Sequence, residues 1–151
     1  MAPPTLIETG ELAGWMTWAK MDPDRFVDVA LGPLFFRDEP DGSVRCRIDT
    51  ARAHTNNADI LHGGFLMSFA DMALYAMAWR CLAKTRAVTL TCNFEFLGAG
   101  VPGRPVEAVG RVVKETRRTL FVQALAEQDG RPVLAFSGTL RKISVRTGGD
   151  A

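Results

Sequence analysis

Cysteine is scarce, and its pattern is unhelpful to cross-linking. Cys46, Cys81 and Cys92 are odd in number and show no Cys-x-x-Cys spacing. That excludes a disulfide framework and a zinc knuckle. Histidine is scarcer still: His54 and His62 are too few and too unsupported for a zinc site, so no metal is expected. A surplus of one charge is also missing. The 18 Lys+Arg stand against 17 Asp+Glu for a net charge of +1, and a nucleic-acid partner would call for a basic excess. No basic stretch followed by an apolar one stands at Met1–Glu8, so no signal peptide is expected. No Gly-x-Ser-x-Gly elbow occurs, which argues against a serine hydrolase. Repeats, low-complexity tracts and a Pro/Gly/Ser linker are absent too. What remains is one globular domain of 151 residues, 47% hydrophobic and 23% charged. We expect it to be soluble, reduced and cytoplasmic.

The first 32 residues read as helical and separate from the rest of the chain. Leu12, Trp15, Met16 and Ala19 share one helical face in Glu11–Lys20. Asp22-Pro23 reads as an N-cap and first helical position, opening a short helix that Gly32-Pro33 would stop near Leu31. Two strands come next, Leu34–Asp38 and Ser43–Thr50, joined by a turn at Glu39-Pro-Asp-Gly42. Val44, Cys46 and Ile48 alternate with Arg45, Arg47 and Asp49. A polar loop, 51–61, leads to His62-Gly63-Gly64 and a long apolar segment ending near Ala83, which predicts a buried helix roughly 30 Å long. Four more strands come after the helix. In Arg86–Leu97, Val88, Leu90, Cys92, Phe94 and Phe96 are expected on one face, with Thr89, Thr91, Asn93 and Glu95 on the other. The others are Pro105–Lys114, Thr119–Gln128 and Val133–Val145, with a hairpin signal at Asp129-Gly130. The tail from Arg146 is small and polar and is expected to fray. The order predicts an α+β fold, an antiparallel sheet wrapped around one long central helix.

From Gly63 to Trp79 the only charged residue is Asp71. A carboxylate in an apolar setting is expensive unless it is paired or partly solvated. Asp71 either points to solvent from an exposed helical face or has chemistry to do. The helix start is the second clue. Two residues without side chains sit where backbone N–H groups are free, and the dipole there favours developing negative charge. Taken alone, the Gly-Gly pair could simply serve the turn, and His62 could be a cap.

Taken together, these residues resemble a family. Asn56, His62-Gly63-Gly64 six residues later and Asp71 nine residues after the histidine resemble the active-site motif of hotdog-fold acyl-CoA thioesterases of the phenylacetic-acid-degradation (PaaI) type, within the 4-hydroxybenzoyl-CoA thioesterase superfamily. Leu-His-Gly-Gly-Phe-Leu-Met-Ser-Phe-Ala-Asp71 is similar to that family's helix signature, and Thr89–Leu97 to its following strand. The resemblance covers Leu34 to Val145. It implies a hotdog domain over 33–146, a helical extension at 1–32 and a flexible tail at 147–151.

The resemblance implies roles. Asp71 is the general base or the nucleophile. Gly63 or Gly64 offers the N–H that polarises the thioester carbonyl. Asn56 places the water or the carboxylate, His62 orients the thioester end, and Thr89 is a hydroxyl beside the carboxylate. Phe65, Leu66, Phe69 and Met72 are candidates to line the acyl pocket. Arg117 and Arg118 are candidates for the coenzyme A phosphates, with Lys84, Arg86 and Lys114 as further basic positions; each alone could be a solvated charge. No cofactor is implied, because coenzyme A thioester is the substrate. The partners implied are that substrate and a second copy of the chain, as a homodimer or homotetramer with sites at the subunit interface; no membrane partner is implied. Asp59 stands where the family often has glycine, and Asn57 beside Asn56 could substitute for it. Trp15, Met16, Trp18 and Phe26 could cover the acyl pocket or pack against the sheet. The alternative function is a non-catalytic acyl-CoA-binding hotdog protein.

Overall fold

A computed structural model describes residues 3–18 and 22–143. The sheet has eight strands: β1 (Thr5–Leu6), β2 (Met16–Thr17), β3 (Leu34–Asp38), β4 (Val44–Ile48), β5 (Arg86–Phe96), β6 (Val106–Glu115), β7 (Thr119–Gln128) and β8 (Arg131–Ile143). Their order is β1-β2-β3-β4-β6-β7-β8-β5, and every neighbouring pair is antiparallel. The helices are α1 (Phe26–Ala30) and α2 (Gly63–Met77). The expected end of the last strand at Val145 and the tail lie outside the described residues.

The sheet curls round α2, which touches β3, β4, β5, β6, β7 and β8. Phe65, Leu66, Phe69, Ala70, Ala73, Leu74, Ala76 and Met77 bury the sheet-facing side of the helix. They meet Phe36, Cys46, Ile48, Val106, Leu120, Val122 and Leu140. Burying each large apolar side chain stabilises by about 1.5–3 kcal/mol, so this layer dominates folding. Close approach is permitted by two strand glycines. A Cβ on Gly138 would sit 2.2 Å from Leu74 Cδ1, and one on Gly110 would sit 2.6 Å from Met77 Sδ. No helix among the described residues is long and apolar enough to cross a membrane.

Three expectations need correction. The helix expected over Glu11–Lys20 is instead a turn leading into β2, as far as the described residues reach. Gly10 and Gly14 take φ of +85° and +86°, which no right-handed helix contains, and Met16–Thr17 pairs with β3. The spacing of Leu12, Trp15 and Met16 mimics a helix, but sheet pairing wins. The short helix after Pro23 does form, as α1, with Gly32 just beyond it at φ +80°.

The long helix stops at Met77 rather than near Ala83. No Gly or Pro stops it. Trp79 Nε1 and Arg80 Nη2 both reach Asp38 on β3, at 3.3 and 3.0 Å, and residues 78–84 turn over that anchor.

In β5 the expected alternation breaks. Thr89 pairs with Leu140 and Thr91 with Thr139, so Leu90 is a bulge. One extra residue moves everything beyond it to the other face. Ala87 and Thr89 therefore face the helix, as do Cys92 and Phe94 beyond the bulge, while Val88 and Leu90 face solvent at 43% and 53% exposure.

Candidate active site

The site is built around two stretches of α2. At its start, His62 is the N-cap, and its Nδ1 accepts the Gly64 N–H at 2.8 Å. An imidazole nitrogen that accepts must be unprotonated, so the neutral ring carries its proton on Nε2. A Cβ at Gly64 would lie 3.0 Å from that Nδ1, so any larger residue there crowds the ring. Gly64 has spent its N–H on His62, so of the pair only Gly63 has a donor to offer. Gly63, the first helical residue, has no hydrogen-bond partner for its N–H among the described residues.

The loop before the helix is tightly tied. Asn56 Oδ1 accepts from Ala58 N at 2.8 Å, and Asn56 N donates to Ile60 O at 2.9 Å. Asp59 sits at φ +56°, the left-handed region that glycine favours and that Asp tolerates better than most residues. His54 Nδ1 accepts from Ala51 N at 3.0 Å, and its ring stacks on Phe65 with centroids 4.2 Å apart. Burial holds the His54 pKa below its usual value. A cleft of about 290 Å³ lies here, lined by Phe26, Ala30 and Leu31 from the α1 region and by His54, His62, Gly64, Phe65 and Ser68.

Further along α2, Asp71 is half-buried, and its Oδ1 accepts from Thr89 Oγ1 at 2.7 Å. The β5 bulge turns Thr89 inward to make this contact. Tyr75 Oη lies 3.0 Å from the same Thr89 oxygen. Cys92 faces the same region; burial, with the Asp71 charge adding, pushes its thiol up to about 11. It is protonated at neutral pH and is no nucleophile.

The other candidates divide. Phe65 lines the cleft, but Leu66 and Phe69 are 2% and 0% exposed within the core. Met72 packs against that core without lining the cleft. Trp15 lies under the Arg37 guanidinium, Trp18 packs on Phe36, and Met16 packs on the core. Phe26 alone of that group reaches the cleft, and it is 67% exposed. Arg117 and Arg118 are exposed at the β6–β7 turn. With Arg141 and Lys142 they border an open concavity of about 890 Å³ floored by Val88 and Leu90. Lys142 pairs with Glu115. Sequence reasoning did not single out Tyr75, Arg141 or the bulge. Tyr75, one helical turn after Asp71, could have been found from that spacing; the bulge leaves no such signal.

Comparison with known proteins agrees with this architecture. The sequence profile of the thioesterase superfamily matches residues 58–135. A Pseudomonas aeruginosa protein named "Putative esterase" is 31% identical over 109 residues, covering 72% of this chain and 81% of its own. The PaaI protein of E. coli, from the phenylacetic acid degradation operon, superposes with a TM-score of 0.67 at 24% identity, covering 80% of this chain and 86% of that one. A hypothetical thioesterase of Streptococcus pneumoniae, solved with coenzyme A, superposes at 0.67 with 21% identity, covering 79% and 92%. The fold is the hotdog fold. With its Asn-loop, His-Gly-Gly helix start and helix carboxylate inside or beside the matched span, the chain belongs to the thioesterase superfamily.

Proposed function

We propose that this protein is an acyl-CoA thioesterase, converting a thioester and water to a carboxylic acid and free coenzyme A. The observation that carries the reading is the Asp71–Thr89 contact of 2.7 Å, which makes the one charged residue of the apolar helix a fixed, half-buried acceptor. A purely structural dimer or a non-catalytic acyl-CoA binder has no use for that carboxylate.

In the proposed reaction the thioester oxygen lies at the Gly63 N–H, where a helix N-terminus stabilises the charge that builds on it. As a general base, Asp71 takes a proton from water as the water oxygen bonds to the carbonyl carbon. The carbon–sulfur bond then breaks, and the proton passes to the leaving thiolate. As a nucleophile, Asp71 would attack that carbon itself and expel the thiolate; water would then open the resulting mixed anhydride, releasing the acid, restoring the Asp71 carboxylate and giving up the proton that the thiolate takes. The basic border formed by Arg117, Arg118 and Arg141 suits the phosphates of coenzyme A.

One chain does not bring these groups together. Asp71 lies eight residues beyond Gly63 on a continuous helix, about 12 Å along its axis. A carbonyl held at Gly63 is out of reach of that Asp71. β5 is the edge of the sheet, with one side open to a second copy. In our reading a homodimer sets Asp71 and Thr89 of one subunit against Asn56, His62 and Gly63 of the other. Tetramers would be pairs of such dimers.

The test is thiol release from a panel of aromatic and aliphatic acyl-CoAs, with wild type beside Asp71→Asn. We expect turnover by wild type and a loss of about 10²-fold or more in the variant. Binding without turnover would support the non-catalytic reading instead.

A further inference from the structure

Tyr75 is the only tyrosine of the chain and takes no part in the proposed chemical steps. Its Oη is 3.0 Å from Thr89 Oγ1, which is itself 2.7 Å from Asp71 Oδ1. The direction of the two bonds comes from donor counting. An ionised Asp71 only accepts, so the single hydroxyl proton of Thr89 goes to Asp71. Thr89 then has only lone pairs left for Tyr75, and the phenol must donate. Asp71 Oδ2 has no hydrogen bond among the described residues, so it is the oxygen left for chemistry.

We propose that Tyr75 is a positioning residue that acts through Thr89: its proton fixes the Thr89 hydroxyl rotor, which in turn fixes the Asp71 carboxylate with Oδ2 facing the substrate. The proposal rests on the reading of Asp71 as the reacting carboxylate. The Thr89 side chain is itself held by its β-branch and by the β5 bulge, so only its hydroxyl proton is free to turn. Without the phenol the Asp71 carboxylate still draws that proton, but nothing occupies the Thr89 lone pair, so the hydroxyl is less firmly set and a weaker donor. The ordinary alternative is that Tyr75 fills space, in which case a phenylalanine serves as well.

The experiment measures kcat and KM for wild type, Tyr75→Phe, Thr89→Val, Thr89→Ser, and Tyr75→Phe combined with each Thr89 variant. We expect Tyr75→Phe to lower kcat about 5–10-fold with KM changed by less than about twofold. In the Thr89→Val background it should add nothing, and Thr89→Ser should restore its effect. A kcat loss of the same size in the Thr89→Val background overturns the proposal, and so does Tyr75→Phe with unchanged kcat. Independently of turnover, ultraviolet resonance Raman of the single tyrosine should report a hydroxyl that donates in wild type and changes in Thr89→Val. An accepting or unbonded phenol in wild type overturns the chain of bonds. Wild-type protein that cleaves no acyl-CoA overturns the thioesterase reading and the positioning role with it, while the Raman signal still decides the hydrogen bonds.

Discussion

The start of α2 and its middle solve different problems. At the start, side chains are removed: Gly63 leaves a backbone donor open, and Gly64 lets the His62 ring cap the helix. In the middle a side chain is added, a carboxylate among Ala, Leu and Met, made tolerable by Thr89 from a neighbouring strand. In the proposed reaction one end polarises and the other accepts protons, and the helix keeps them about 12 Å apart. A rigid helix gives each end a precise setting but forbids them to meet within one chain. If both ends serve one reaction, as we propose, the chain is half of two sites rather than the whole of one.

The contrast breaks most sharply at Gly63. His62 has φ −65° and ψ 136°, the backbone a following proline tolerates, and proline is favoured at the first helical position. Gly63→Pro therefore deletes the N–H while keeping the helix; Phe96, 54% exposed, must give way to the added ring. We expect kcat to fall about 10²–10³-fold, as for loss of an oxyanion donor, with unchanged circular dichroism. Gly64→Ala keeps its N–H and only crowds His62, so steady-state kinetics should show a loss of just a few-fold. The smallest effect belongs to the basic border. Replacing Arg117 and Arg118 together by Ala should raise KM only about twofold at low salt with kcat nearly unchanged, and the difference should shrink as salt is added.

The site was more legible in the sequence than the segment before it. Asp71 stands out because a charge conflicts with an apolar helix. His62 and the two glycines are weak signals alone and gain weight only together with Asp71 and Asn56, through the family resemblance. The stretch at Glu11–Lys20 misleads because Leu12, Trp15 and Met16 carry a helical spacing, whereas Gly10, Gly14 and pairing with β3 decide the conformation. The β5 bulge was illegible for a related reason. Val88, Leu90, Cys92, Phe94 and Phe96 alternate perfectly in sequence, and only the register with β8 shows where the phase slips. Leu66 and Phe69 look like pocket residues by type, yet the helix turns them into the core. Long-range register and the rotation of a helix about its axis are tertiary properties, and one apolar residue looks much like another until they are set.

The central claim is that each site takes Asp71 from one subunit and the Gly63 helix start from the other. Subunit complementation tests it most directly. Asp71→Asn and Gly63→Pro proteins, each inactive alone, are mixed in equal amounts under conditions that exchange subunits, and thiol release is monitored. The account predicts recovery to about a quarter of wild-type activity, since half the dimers are mixed and each mixed dimer holds one intact site. Mixed dimers that form, as native mass spectrometry would show, but stay inactive would mean that both groups act within one chain, and the shared site would be wrong.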